Sequence, residues 1–467
     1  MQVPFSHKIC GVIVGPTLKE AQSQIDFFYS HADLLEIRVD RLQDFDIVKK
    51  ILEYAKRPTL LTLRNKKHGG HFEGSPSEQE KKICDLAKLN PTFIDIEADL
   101  SPKLFQQCKS ETKILCSYHH LSETPIDLNG ILETMKSHPA NLYKIVTFAN
   151  DSLDAMRMLS FVKKSRDPLI GFCMGPKGSF SRVVAPIVGS AVTFVPAKGQ
   201  EDSVPGQFSL QELIDRFRIH EISQKTELLG LIGDPIEQSP SRFTHHHLIR
   251  ERGLDAVYVQ IQVFKEHLES FLELAAEIGF KGFSVTIPHK EHVSRIISAP
   301  EKAVNTLFLH NQKYISINTD GISAIECIES HISLNSAKIV ILGAGGAAIG
   351  IGKAAKEQGA NVWFLNRDPQ KAKKIAQEIG ADFAPLDEFA KIAKERYDVL
   401  INTIPLMDQC PVSKDDILPN KICFEIISIP KETPFYLAAQ EKNCIVIPGM
   451  EMFLRQAKKQ FDFWYPK

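Results

Sequence analysis

The feature that most restricts this chain is an alternation. Eight short apolar runs recur up to residue 198, most of them separated by longer amphipathic stretches: KICGVIVG (8–15), LLEIRVD (34–40), TLLTLR (59–64), FIDIEAD (93–99), KILCSYH (113–119), LYKIVTFA (142–149), PLIGFCMG (168–175) and VTFVPAK (192–198). A strand-sized apolar run followed by a helix-period segment such as LKEAQSQIDFFYSH or SEQEKKICDLAKL makes a βαβ unit. Repeated units build a parallel sheet buried on both faces. Eight of them predict a (β/α)8 TIM barrel at the short end of its range. From the pattern alone, an open doubly wound sheet is the alternative. Polar residues gather at the C-terminal ends of the runs: Glu36, Arg38, Asp40, Arg64, Glu97, Asp99, His119 and Lys144. Singly, each is more often part of a loop salt bridge. Jointly they favour the barrel, where that end assembles a site from several strands.

The polar segment RIHEISQKTE (218–227) breaks the alternation, and we place a boundary near residue 222. A new strand, LLGLIG (228–233), opens a strand-and-helix region reaching about residue 325. KIVILGAGGAAIGIGKAAKEQGANVWFLNRD (338–368) then reads strand, Gly-rich turn, helix, strand. The expected division is a barrel over 1–222, a lobe over 223–325 with 440–467 packing back onto it, and a Rossmann-like domain over 326–439. Lys+Arg is 56 and Asp+Glu is 57, so no basic excess exists for nucleic acid or an anionic membrane. No apolar run is long enough for a transmembrane helix. The 9 cysteines are scattered without a C-x-x-C pair, as in reduced cytosolic proteins. MQVPFSHK enters the first strand at Ile9, leaving no room for a targeting peptide. The expectation is a cytoplasmic enzyme of small molecules, monomer or homodimer, with no metal.

Lys144 sits among apolar and β-branched neighbours in LYKIVTF. Desolvation disfavours its ammonium form and frees the amine as a nucleophile. Such an amine forms a Schiff base with a ketone, and the imine draws electrons from the adjacent carbon. His119, at the end of the preceding strand, is a candidate acid/base. A lysine reaching solvent from a strand end is an equally weighted reading of these residues. His119 and His120 are unsuited as a metal pair, because adjacent strand residues point to opposite faces.

The segments LLEIRVD, TLRNKKHGGHFEG, SYHH, YKIVTFA, MGPKGSFSR and SVPGQ resemble, in order, type I 3-dehydroquinate dehydratase. The resemblance implies a Schiff-base dehydratase on a (β/α)8 barrel. It makes Lys144 the imine-forming lysine and His119 its acid/base. It assigns Glu36, Arg38, Arg64, Arg182, Ser203 and Gln207 to the substrate's carboxylate and hydroxyls. Where the family usually has Glu ahead of Gly-Gly, this chain has His68 before Gly69-Gly70. Either His68 substitutes for the glutamate or His119 works without it, and a slower dehydratase is expected.

In the second half, Gly343, Gly345, Gly346 and Ala347 lie in a G-x-G-x-x-A turn between a strand and an Ala-rich helix. Such a turn brings backbone close to a pyrophosphate at the helix N-terminus. The next strand ends in Asn366-Arg367 where an NAD enzyme usually has Asp or Glu, which favours NADP; Lys371 extends the phosphate site, and Gly449 joins the cofactor-binding set. Asp368 is unfavourable there unless it points away. Lys290, just past the apolar strand that contains Thr286, and Asp320, in the turn NTDG, can relay the proton accompanying hydride transfer. GDPIEQSPSRFTHH, GFSVTIPHKE, AVNTL, NTDG and MEMFLRQA resemble shikimate dehydrogenase over about residues 226–467. This resemblance makes Lys290 and Asp320 the catalytic pair. Ser239 and Ser241 become carboxylate-binding serines, and Thr286, Asn305 and Gln456 substrate contacts. It departs from the family at Gln238, Arg242, Ser284, Lys302 and Ile349, in NTIPLM (402–407), which lacks a usual Gly, and in EIISIP (425–430). Together the resemblances imply a fused dehydratase and NADP-dependent dehydrogenase acting on consecutive steps of the shikimate pathway. Two other readings fit the scaffolds: a Schiff-base aldolase joined to an NAD-linked quinate oxidase, and a chain with one half reduced to a regulatory or scaffolding module.

Overall fold

The structure is a computed structural model that describes residues 9–109, 112–200, 205–236 and 239–466. Eight parallel strands form the first sheet: β1 (Ile9–Ile13), β2 (Leu34–Arg38), β3 (Thr59–Thr62), β4 (Phe93–Glu97), β5 (Lys113–His119), β6 (Leu142–Phe148), β7 (Leu169–Met174) and β8 (Thr193–Pro196). Their order is β7-β6-β5-β4-β3-β2-β1-β8. β8 closes back onto β1 through Ile9↔Thr193 to Val12↔Pro196. No ladder joins β7 to β8 among the described residues, so the barrel is nearly closed. All eight expected strands are present.

Burial explains why these runs are strands. β3 and β4 are buried at every position, as strands with helices outside and packed side chains inside must be. The intervening helices start where the sequence caps them. Thr17 with Glu20 and Ser75 with Glu78 form capping boxes on helices Leu18–Phe28 and Pro76–Ala87. Register sets the mouth: β5 aligns with β6 as Ser117↔Lys144, and β2 with β3 as Arg38↔Thr62.

The second sheet has the order β10-β9-β11-β12-β13, from β9 (Glu227–Gly233), β10 (Ala256–Gln262), β11 (Phe280–Val285), β12 (Thr306–His310) and β13 (Lys313–Ile317). The third has the order β16-β15-β14-β17-β18-β19. Its strands are β14 (Lys338–Leu342), β15 (Asn361–Asn366), β16 (Asp382–Pro385), β17 (Val399–Asn402), β18 (Ile422–Glu425) and β19 (Ile445–Ile447). This is the doubly wound nucleotide-binding arrangement, whose order reverses between β14 and β17. The chain separates into two compact units, Met1–Leu229 with Leu254–Phe280, and Gly230–Gly253 with Lys281–Lys467.

Candidate active sites

The barrel mouth holds a cavity of about 340 Å³ lined by Glu36, Arg38, Arg64, His68, His119, Lys144, Arg182 and Gln207, among others. These residues come from β2, β5, β6 and the segments after β3, β7 and β8, and converge because strand C-termini converge in a barrel. Lys144 Nζ lies 3.6 Å from Glu36 Oε1 and 3.7 Å from the centroid of the Phe194 ring. Burial lowers the Lys144 pKa, and Glu36 and Asp95 offset only part of that. Glu36 takes a hydrogen bond from Thr62 Oγ1 at 2.9 Å. Burial alone would raise its carboxyl, but Lys144, Arg38 and Arg64 outweigh it and hold Glu36 charged. His119 is pushed well below an ordinary imidazole, by burial first and then by Arg64 and Lys144. It therefore stands neutral, as a proton acceptor must.

Four arginines line the cavity; Arg41 Nη1 lies 2.6 Å from His71 Nε2, and of the other three only Arg182 is uncommitted. Arg38 is paired bidentately with Asp40, at 2.9 and 2.8 Å. Arg64 donates to Asp95 at 2.5 Å, Glu97 at 3.2 Å and Ser117 at 2.8 Å. Arg182 stacks on Phe172, 4.6 Å from the ring centroid, and its buried Nε and Nη1 have no hydrogen-bond partner. Burial brings its pKa down to about 10. A buried guanidinium without a counterion is costly, and an anionic ligand would compensate it. Gln207 Oε1 is likewise unpartnered. Ser203 lies outside the described residues.

His68, Glu97 and Asp99 bring ligand atoms within 4.8 Å of one another. Glu97 already accepts from Arg64, Asn65 and Gln79, and Asp99 from Lys67 and His68, so the cluster reads as an ion-pair network.

The second constellation lies within the second unit. Lys290 Nζ is 2.5 Å from Asp320 Oδ2. Asp320 Oδ1 accepts from Asn305 Nδ2 at 2.7 Å and Gln456 Nε2 at 2.6 Å. The carboxylate is thus clamped on both oxygens and aimed at the lysine. Asp320 is the first residue of helix Asp320–Glu329 and not part of a free turn: Asn318 Oδ1 takes its amide and the chain enters the helix there. Thr286 falls one residue beyond β11, because its amide turns to Ile232 O and leaves the ladder with β12. Ser239 Oγ donates to Ser241 Oγ at 3.0 Å, and buried Ser241 starts helix Ser241–Glu251.

The Gly-rich turn follows β14. Gly343 has φ +115°, and a Cβ there would lie 2.2 Å from Thr403 Oγ1, so only glycine fits. A Cβ on Gly345 would meet open space. Gly346 begins helix Gly346–Glu357, which also contains Ala347 and carries no side-chain cap, leaving its first amides free for an anion. A Cβ at Gly346 would lie 4.0 Å from Lys290 Cδ, which brings this turn to Lys290. Asn366 ends β15, with Arg367 and Lys371 exposed beyond it. Asp368 turns into its own helix, capping Gln370 N at 3.0 Å and Lys371 N at 3.3 Å. Gly449 opens the last helix, where a Cβ would strike Ile427 O at 2.4 Å.

Sequence reasoning missed the aromatic floors, Phe194 under Lys144 and Phe172 under Arg182, which are indistinguishable by pattern from core residues. It also missed buried Glu425, whose carboxylate takes Asn402 Nδ2 at 2.9 Å, Thr433 Oγ1 at 2.6 Å and Ile427 N at 3.0 Å. These bonds tie together the two loops that depart most from the family pattern.

Amine chemistry in a barrel and a Lys–Asp pair beside a dinucleotide fold make this a bifunctional enzyme. Residues 9–224 match the type I 3-dehydroquinase family. Residues 231–307 match the shikimate dehydrogenase substrate binding domain, and 326–410 the shikimate / quinate 5-dehydrogenase family. The chain is 32% identical to the chloroplastic bifunctional 3-dehydroquinate dehydratase/shikimate dehydrogenase of Arabidopsis thaliana, over 93% of this chain and 77% of that one. It is 31% identical to the shikimate biosynthesis protein AroDE of Chlamydia pneumoniae, over 98% and 95%. The crystal structure of shikimate dehydrogenase from Aquifex aeolicus aligns with 53% of this chain and 95% of its own, at TM-score 0.50 and 31% identity. The chain belongs to the bifunctional 3-dehydroquinate dehydratase/shikimate dehydrogenase family of shikimate biosynthesis. Among the described residues, no helix is long and apolar enough to cross a membrane.

Proposed function

We propose that the barrel dehydrates 3-dehydroquinate through an imine on Lys144, and that the second half reduces the resulting 3-dehydroshikimate to shikimate with NADPH. The observation that carries the first step is a desolvated lysine, a neutral imidazole and an unpaired guanidinium facing one cavity. The Lys144 amine attacks the ketone carbon and water leaves. The imine acidifies the neighbouring C–H, and His119 takes that proton. His119 returns it to the β-hydroxyl, which departs as water, and hydrolysis of the imine frees the enone. Arg182 holds the substrate carboxylate, with Gln207 and Ser203 on the hydroxyls. Arg38 and Arg64, already committed to carboxylates, act as fixed positive walls.

A bound NADPH supplies the hydride. The free amides at Gly346, the open space at Gly345 and the cations Arg367 and Lys371 fit its phosphates. Asp368, turned into its helix cap, leaves room for a 2′-phosphate. Lys290, oriented by Asp320, gives the proton to the nascent alkoxide. Ser239 and Ser241 hold the carboxylate, and Thr286, Asn305 and Gln456 border the ring. The division 1–222, 223–325 with 440–467, and 326–439 is the functional one. The enzyme works as a monomer or homodimer, and the free cysteines of the described chain fit a reducing, cytoplasmic setting.

The test is a coupled assay with dehydroquinate and NADPH. Oxidation of NADPH supports the reading; none with either half intact defeats it. Arg182→Met should raise KM for dehydroquinate about 30- to 1,000-fold, the usual cost of removing a desolvated charge partner. Its Tm should hold or rise, because an uncompensated buried cation is removed. Arg367→Ala should raise KM for NADPH about 10- to 100-fold, matching a lost charge-assisted hydrogen bond, and leave KM for NADH within about twofold. Equal changes for both cofactors would remove Arg367 from the 2′-phosphate site.

A further inference from the structure

We infer that Gln460 is a positioning residue of the dehydrogenase, pinning the backbone of Asn305 and through it the Asp320 carboxylate; the inference rests on the dehydrogenase reading above. Three side-chain N–H donors stand four residues apart along the last helix, Gly449–Trp464, and so share one face. Gln456 Nε2 donates to Asp320 Oδ1 at 2.6 Å, Gln460 Nε2 to Asn305 O at 3.1 Å and Trp464 Nε1 to Leu307 O at 2.8 Å. Asn305 directly precedes β12 and Leu307 lies within it. Trp464 comes this close because residue 282 is glycine: a Cβ there would lie 2.3 Å from Trp464 Nε1. The helix is thus registered at three points, two on the strand backbone and one on the carboxylate that orients Lys290.

Gln460 is buried with Met452, Ala457, Phe461 and Trp464, where an apolar side chain is the ordinary choice. Burying an amide is costly unless its atoms are paired, and here they are. Its Nε2 faces the Asn305 carbonyl, so its Oε1 faces away and takes two hydrogens, from His245 Nε2 at 2.9 Å and Ser284 Oγ at 2.8 Å. His245 is buried, and burial brings its pKa down to about 4, so the ring is neutral and adds no charge to the knot. Ser284, one of the chain's departures from the family pattern, gives its hydroxyl to this amide. A buried, fully paired polar group of this kind fixes one register of helix on sheet. Asn305 is where the register meets the chemistry. Its Nδ2 donates to Asp320 Oδ1 at 2.7 Å and to Thr319 Oγ1 at 2.9 Å, and its Oδ1 accepts from Thr319 N at 3.0 Å. Its carbonyl takes Val285 N at 2.8 Å besides Gln460. A shift of that backbone carries the side chain, and the Asp320 carboxylate, with it.

Gln460→Leu removes the amide and leaves its partners able to satisfy each other, since Ser284 Oγ lies 3.2 Å from His245 Nε2. In this variant kcat for shikimate oxidation by NADP should fall about 10- to 100-fold, the range for a lost outer-shell partner. KM for shikimate and for NADP should stay within about threefold, because the loss falls on the reacting geometry and not on binding. Gln460→Met, closer in shape, should behave alike. Trp464→Phe removes the matching bond two residues farther along the strand and keeps an aromatic ring; it should lower Tm and leave kcat within about twofold. Dehydratase activity of the same chain reports folding in every variant. Combined with Asp320→Asn, Gln460→Leu should cost less than about twofold more, because the group that it aims is already gone. An unchanged kcat in Gln460→Leu and Gln460→Met, equal kcat losses in Gln460→Leu and Trp464→Phe, or the full loss repeated on top of Asp320→Asn would overturn the inference alone and make Gln460 a packing residue. Absence of shikimate oxidation in wild type would strike the dehydrogenase reading and this inference with it.

Discussion

Replacing Lys144 with alanine is expected to lower dehydration of 3-dehydroquinate by about 10⁴-fold or more, the scale on which a covalent nucleophile is lost. Borohydride labelling by dehydroquinate should vanish, while shikimate oxidation by NADP on the other half continues. The effect is large because, among the described residues lining the cavity, Lys144 is the one lysine: Arg38, Arg64 and Arg182 stay protonated, and Thr62 offers Glu36 only a hydroxyl. Charge and chemistry need separating, because Lys144 also neutralises Glu36 in a buried site. Removing one partner of a buried pair costs about 3–5 kcal/mol, so Lys144→Ala could lose activity through the fold. Lys144→Arg keeps the cation over Phe194 and against Glu36 but cannot form an imine. If the arginine variant retains more than about 1% of the dehydration rate, covalent catalysis by this residue is wrong. If both variants are dead in dehydration and alive in the dehydrogenase, the nucleophile is assigned.

The barrel was legible because its signal is collective. Strand burial on two faces forces continuous apolar runs, and eight such runs need no single residue to be interpreted. The polar residues at their ends marked the mouth for the same reason. Sequence could not say which cations were free. Arg38, Arg64 and Arg182 look alike as letters, and their difference lies in contacts up to 53 positions apart, such as Arg64 to Asp95, Glu97 and Ser117. Asp368 is a second case. Beside a phosphate site it reads as a conflict, yet its carboxylate is taken up by the amides of its own helix, a local geometry settled by the Asp-Pro start at residue 369. Boundaries were the weakest expectation. Thr286 and Asp320 each fell one step from where pattern put them, Thr286 past a strand and Asp320 inside a helix, because backbone hydrogen bonds end these elements where hydropathy does not change.

In the second half, Lys290→Met is expected to lower kcat for shikimate oxidation by about 10²–10⁴-fold, the usual range for a positioned general acid or base, with KM for shikimate changed far less. Asp320→Asn should fall in the same range for a different reason. Asp320 is 1% exposed and receives Asn305 and Gln456 on one oxygen and Lys290 on the other. An amide in its place puts an NH₂ against at least one of those donors. The lysine then loses both its counter-charge and its aim. The two substitutions remove one unit, so their effects should not add. The double variant should lie within about threefold of the slower single variant. Full additivity, at roughly the product of the two losses, would mean that Lys290 and Asp320 act independently, and the clamp on Asp320 would then serve the fold and not the proton.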